Sequence, residues 1–217
     1  MAISNMTTLL IVRHGNTFEQ DQTPVRVGLR TDMPLSSSGR TQAVNLGNYL
    51  HLNKTHLAVV YCSNLKRTQE TASLALKTAG ISLEPKILSI FDEIDYGLDE
   101  GKTNEKVIDR IGEIAMRDWE NMAVAPDGWL VDTDQIIRDW QNFAAQLLVT
   151  HPNDTALVVT SNGIARFAPY LTADFFGFTQ YHKIKLATGA IGSLTYKEGE
   201  WKADYWNQIP KEIKSEL

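Results

Sequence analysis

Four short stretches of this chain carry side chains able to handle an anion. "IVRHGNT" holds Arg13, His14, Asn16 and Thr17, and "YCSNLKRTQET" holds Arg67. "FDEIDYGLDEG" holds Glu93, and "TSNGIAR" holds Asn162 and Gly163. Brought together, they make an anion pocket of two guanidiniums, one imidazole, one carboxylate and one amide. Arginine presents planar, permanently charged donors that match phosphate oxygens two at a time. His14 is flanked by cations that lower its pKa and keep it neutral and nucleophilic. Gly15 is expected to clear space for the close approach of a phosphoryl group. A carboxyl in a dry anion site, such as Glu93, can stay protonated and give that proton to a leaving oxygen. Asn162 offers N–H donors without a charge.

Such a pocket needs strands that deliver the four stretches to one rim. β-Branched and apolar runs predict strands at Leu9–Val12, Leu57–Tyr61, Lys86–Ile90, Ala156–Thr160, Gly192–Tyr196 and Lys202–Trp206. Helical spacing predicts Ser37–Leu52 with Ser36 as N-cap, Leu65–Ala79 behind Ser63, Glu105–Met122 and Thr133–Thr150. Strands alternating with helices imply βαβ units and a mainly parallel sheet. The last two strands, joined across Lys197–Glu200 with Gly199, read as an antiparallel hairpin on its edge. In such sheets ligands sit at the carboxyl ends of the strands, where all four stretches fall. Two consecutive helices between the third and fourth strands break the alternation. They predict one domain over 1–217 with a helical cap inserted at about 99–135.

Composition narrows the function further. The chain has 217 residues and a net charge of −5, with no basic tract, which excludes a nucleic-acid footprint. A locally converging set of arginines can still bind an anion in an acidic protein. Cys62, the one cysteine, lies in the apolar run "LAVVYC" and reads as an inert core thiol. His51, His56, His151 and His182 lack metal-ligand spacing, so neither a metal nor a cofactor is expected. No stretch approaches the ~20 apolar residues that span a bilayer. "MAISNMTTLLIV" lacks the basic start of a leader, and the cytoplasm is the expected location. The oligomeric state is not legible.

The ordered motifs resemble the histidine phosphatase superfamily, also called the phosphoglycerate mutase-like family. "LLIVRHGNT" looks like its signature, "GLRTDMPLSSSGRTQA" like the segment that follows, "CSNLKRTQETA" like its second-arginine motif, and "FDEIDYGLDEG" like its acid-bearing loop. The resemblance implies a three-layer α/β/α sandwich, with a mainly parallel central sheet, an antiparallel edge and a helical cap. It implies that His14 is phosphorylated transiently, that Glu93 is the proton donor, and that Arg13 and Arg67 hold the phosphoryl group without metal. Asn162 with Gly163 would complete the phosphate site. There the resembled family carries a second histidine, and a neutral amide in its place forgoes about 1–2 kcal/mol of charge-assisted bonding. That is roughly a tenfold to thirtyfold loss of rate. Gln20 stands where several members place a phosphate-contacting asparagine. Asn16, Thr17, Arg26, Arg30, Lys102 and Trp129 are the candidates for substrate selection. "PDGWLVD" lacks the Gly-Glu-Ser pattern typical of the mutase and broad phosphatase branches, and without the branch-defining loops of cofactor-dependent mutases the resemblance favours hydrolysis of a small phosphorylated metabolite. The alternatives are a weakened phosphate-binding member, whose ligand would be such a metabolite or inorganic phosphate, and mutase-type transfer.

Overall fold

The apolar runs form six strands in the order β3-β2-β4-β1-β5-β6 in a computed structural model that describes residues 6–211. Residues 1–5, the start of the stretch read as lacking a leader, lie outside the described residues. The strands are β1 Thr7–Arg13, β2 Leu57–Cys62, β3 Lys86–Ile87, β4 Thr155–Thr160, β5 Ile191–Lys197 and β6 Glu200–Gln208. β1 runs parallel to β4 and antiparallel to β5, and β2 runs parallel to both β3 and β4. The sheet is therefore mainly parallel with an antiparallel edge. Glu198 and Gly199 turn the final hairpin, both with positive φ (57° and 91°) as a two-residue primed turn demands.

Period-two alternation divides the core between the faces of the sheet. Leu9 and Ile11 of β1 join Val59, Ala156 and Val158 on one face, while Leu10 and Val12 join Val60, Leu157 and Val159 on the other. Helices α1 (Ser37–Leu52) and α2 (Lys66–Ala79) cover the second face through Leu46, Leu50, Ala72, Ala75 and Leu76. On the first face α4 (Thr133–Thr150) inserts Trp140, Phe143, Ala144 and Leu147 against Phe91 and Val158. A three-layer α/β/α sandwich results. Ser36 caps α1 by accepting from the Gly39 N–H at 3.2 Å. Cys62 is fully buried in β2, and burial, followed by Asp92, pushes its thiol up to about 11. Among the described residues no helix is long and apolar enough to cross a membrane.

Local departures from the expected elements have physical causes. β3 is two residues long, because the chain tightens into a 3₁₀ turn at Ser89–Phe91 that drops Phe91 into the core. The second helix starts at Lys66 without a side-chain cap; Ser63 instead accepts from the Leu65 N–H and bonds the Thr68 hydroxyl. Helix α3 (Asn104–Met122) is broken at Gly112, whose φ of 83° no helical residue adopts. The break resets the phase of the buried stripe. Met116 and Trp119 turn inward, while Ile114 stays 66% exposed. Two short helices, α5 (Asn162–Ala165) and α6 (Phe175–Tyr181), complete the chain.

Candidate functional site

Where β1 ends, the main chain is sewn to both neighbouring strands. The His14 N–H donates to the Thr160 carbonyl of β4 at 3.0 Å, and the Arg13 N–H donates to Ala190 beside β5 at 3.1 Å. His14 is thereby fixed above the sheet, 6% exposed. Its Nδ1 lies 2.7 Å from the Gly15 carbonyl, which can only accept, so Nδ1 carries the proton. Nε2 is then left with a lone pair, and Arg67 Nε donates to it at 3.2 Å. Burial, reinforced by Arg67 and Arg13, pulls the His14 pKa well below 6.5 against the weaker opposing pull of the Gly15 bond.

That shift has a measurable consequence. Between the lowered pKa and about 6.5 the unfolded chain binds a proton that the folded chain refuses. His14 therefore adds stability in full above that window and loses it on acidification, by up to ~1.4 kcal/mol per pH unit. The thermal midpoint of the wild type is expected to fall faster below pH 6.5 than that of His14→Gln. Parallel curves would contradict the neutral, buried imidazole.

The other wall is built where β4 turns into α5. Glu93, 5% exposed, accepts from its neighbour's Ile94 N–H at 2.9 Å and from the Gly163 N–H at 3.3 Å. A Cβ at position 163 would stand 2.1 Å from Glu93 Oε1, so glycine is what lets the carboxylate seat on the start of α5. Gly163 thus cradles Glu93 and does not line the cavity, a different place from the phosphate contact expected of it. Gly15 differs likewise. Its missing side chain faces the Gly39 carbonyl of α1, which a Cβ would meet at 2.4 Å, and leaves space for helix packing and none for a ligand. Asn162 Oδ1 accepts from the Leu186 N–H at 3.0 Å, which aims the amide's Nδ2 donors at the cavity.

A cavity of about 860 Å³ opens between these walls. Arg13, His14, Asn16, Thr17, Gln20, Arg26, Glu93 and Asn162 all line it. Arg67 is fully buried behind His14, its remaining bonds going to the Thr31 carbonyl at 2.8 Å and the Gly28 carbonyl at 3.3 Å. Burial lowers the pKa of both Arg13 and Arg67, opposed first by Glu93. Arg13 Nη1 donates to the Leu186 carbonyl at 2.9 Å, and among the described residues its buried Nε has no partner.

Three expected selectivity residues stand elsewhere. Arg30 is spent outside the cavity on Asp95 at 3.2 Å and Glu100 at 3.3 Å. Trp129 gives its one N–H to Asp99 at 2.7 Å, so nothing polar remains for a ligand. The exposed Lys102 contributes only its backbone, whose carbonyl accepts from the Arg26 N–H. Asp99 is 2% exposed and also holds the Arg110 guanidinium. The sequence reading missed Tyr96, Trp119, Glu120, Arg166, Lys185 and Thr188, which also line the cavity. Arg166 alone left a usable signal, standing four residues beyond Asn162 and so on the same helical face. Among the described residues no three His, Cys, Asp or Glu side chains cluster as metal ligands.

Similarity to known proteins agrees with this geometry. A 2,3-bisphosphoglycerate-dependent phosphoglycerate mutase of Methylorubrum extorquens is 26% identical over 183 residues, 83% of this chain and 85% of its own. A metal-independent phosphoserine phosphatase of Arabidopsis thaliana is 25% identical over 211 residues, 95% of this chain and 83% of its own. Among solved structures, a mycobacterial glucosyl-3-phosphoglycerate phosphatase in complex with VO3 superposes with a TM-score of 0.75 at 22% identity. That superposition covers 93% of this chain and 98% of the other, and it speaks for the fold. The sequence pattern of the Histidine phosphatase superfamily (branch 1) matches residues 9–209, nearly the whole length, and the chain belongs to that family.

Proposed function

We propose that the protein hydrolyses a small phosphomonoester through a phosphohistidine at His14, without metal. One observation carries this reading: His14 is held neutral, Nδ1 protonated and Nε2 unprotonated and accepting from Arg67, between buried arginines in a cavity that Glu93 also lines. A neutral imidazole with its lone pair aimed at a cationic pocket is prepared to attack phosphorus. In the first step the Nε2–P bond forms as the P–O bond to the alcohol breaks, and Glu93, carrying a proton in the substrate complex, passes it to the leaving oxygen and is left as the carboxylate. In the second, water adds to phosphorus, its proton returns to Glu93, and the N–P bond breaks to release phosphate. Arg67 gives up Nε2 as the phosphoryl oxygens take over its donors, and Arg13 and Asn162 Nδ2 hold those oxygens from the other sides. Arginines supply here the positive charge that a divalent cation supplies in many phosphoryl-transfer enzymes. The segment of about 99–135, with α3, acts as the cap: Trp119 and Glu120 close the cavity from above, and Asn16, Thr17, Gln20 and Arg26 choose the leaving group.

Acid-labile, alkali-stable label from a radioactive phosphate ester, trapped by rapid alkaline quench in the presence of chelator, is expected on the peptide holding His14. Turnover that chelation abolishes, or label on another residue, rejects the reading. Mutase-type transfer shares the first step but needs a bisphosphate primer. Release of inorganic phosphate without primer separates the two.

A further inference from the structure

Arg166 is a charged group of the cavity that the two steps above leave without a task. It is 2% exposed and belongs to the turn of chain that follows Asn162. Helical side chains lean toward the start of their helix, so a residue four positions on reaches back over the first. Its guanidinium is held at two corners and on one face. Nε donates to the Asn162 carbonyl at 3.2 Å and Nη1 to the Trp119 carbonyl at 2.6 Å, while Cζ lies 3.8 Å from the centre of the Trp119 ring. Among the described residues Nη2 has no acceptor, and no carboxylate forms a salt bridge with Arg166. A buried cation with no ion partner is costly to keep. Burial lowers its pKa to about 10, with Tyr96 and Glu93 opposing, so the charge persists at neutral pH.

We propose that Arg166 is a third phosphate-binding arginine, whose Nη2 donates to an oxygen of the phosphoryl group at His14. The inference rests on the hydrolase reading for its ligand, a phosphoryl dianion. The two fixed corners leave the guanidinium one orientation, so the fork is set before a ligand arrives and little side-chain freedom is lost on binding. Arg166 restores to the Asn162 wall the cationic character that an amide lacks.

Orthovanadate, which takes the place of a phosphoryl group in transfer, separates the alternatives by calorimetry alongside p-nitrophenyl phosphate turnover. R166Q is expected to bind vanadate about thirtyfold more weakly, the loss of one charge-assisted hydrogen bond. R166K, which keeps the charge, should recover most of that loss, a rescue that a purely structural anchor would not show. Vanadate affinity unchanged in R166Q overturns the proposal, including when esters with an acidic leaving group alone are affected. If R166Q does not fold, a folded R166K that loses more than about tenfold overturns it. A wild type that binds vanadate but turns over no ester ends the hydrolase reading and leaves Arg166 standing. Hydrolysis that R166Q matches ends the Arg166 proposal alone, and a wild type that binds no vanadate ends both.

Discussion

His14→Ala is expected to lower kcat/KM for an aryl phosphate by on the order of 10⁴-fold or more, the scale on which covalent catalysis fails without its nucleophile. Alanine removes Nε2 and with it the intermediate, so water would have to attack the ester directly. Binding should survive. Arg13 and Asn162 line the cavity through their own bonds to Leu186, and Arg67 keeps its bonds to Thr31 and Gly28. Inorganic phosphate is therefore expected to inhibit or bind the variant within about tenfold of wild type, since no phosphate contact beyond the imidazole is lost. Residual activity within tenfold of wild type would sink the nucleophile assignment. Loss of phosphate binding together with activity would show that the imidazole supports the pocket and does not attack.

Glu93→Gln should separate substrates by their leaving groups. An alkoxide needs a proton to depart, so alkyl phosphates should slow by roughly 10²–10⁴-fold. p-Nitrophenyl phosphate, whose phenolate leaves unprotonated, should slow far less in its first step. A uniform loss across both substrates would remove Glu93 from the proton-transfer role. The substitution also carries a stability cost. The carboxylate accepts two backbone N–H groups, from Ile94 and Gly163, whereas an amide can accept only at its oxygen. One donor would face an NH₂ group, costing ~1–3 kcal/mol, visible as a lowered thermal midpoint. Kinetics should therefore be measured well below that midpoint.

Much of the fold was legible because buried strands announce themselves: "LLIV" and "ALVVT" are continuous apolar runs followed by a polar turn with glycine. That alone put His14 and Asn162 at the same rim. Glu93 was harder, because β3 shrinks to two residues and the carboxylate's seat depends on a glycine seventy positions away. The selectivity candidates fared unevenly for a tertiary reason. Arg26 and Arg30 are four apart in a loop, yet Arg26 packs over Tyr96 and Trp129 inside the cavity while Arg30 ties down the acidic loop outside. No periodicity marks which way an irregular segment faces. The glycines misled differently: each was read against a ligand, and each is pressed against protein.

Leu186 accepts from the Arg13 guanidinium through its carbonyl and donates to the Asn162 side-chain oxygen through its N–H, so its main chain joins two walls of the cavity. Because the Leu186 side chain takes no part, substitutions at position 186 leave this donor and acceptor in place, with one exception. Proline lacks the N–H, and Leu186→Pro would free the amide to flip and present its oxygen to an anion. On the Leu186 side the tie is main chain, which substitution there does not alter, while its other ends depend on the Arg13 and Asn162 side chains.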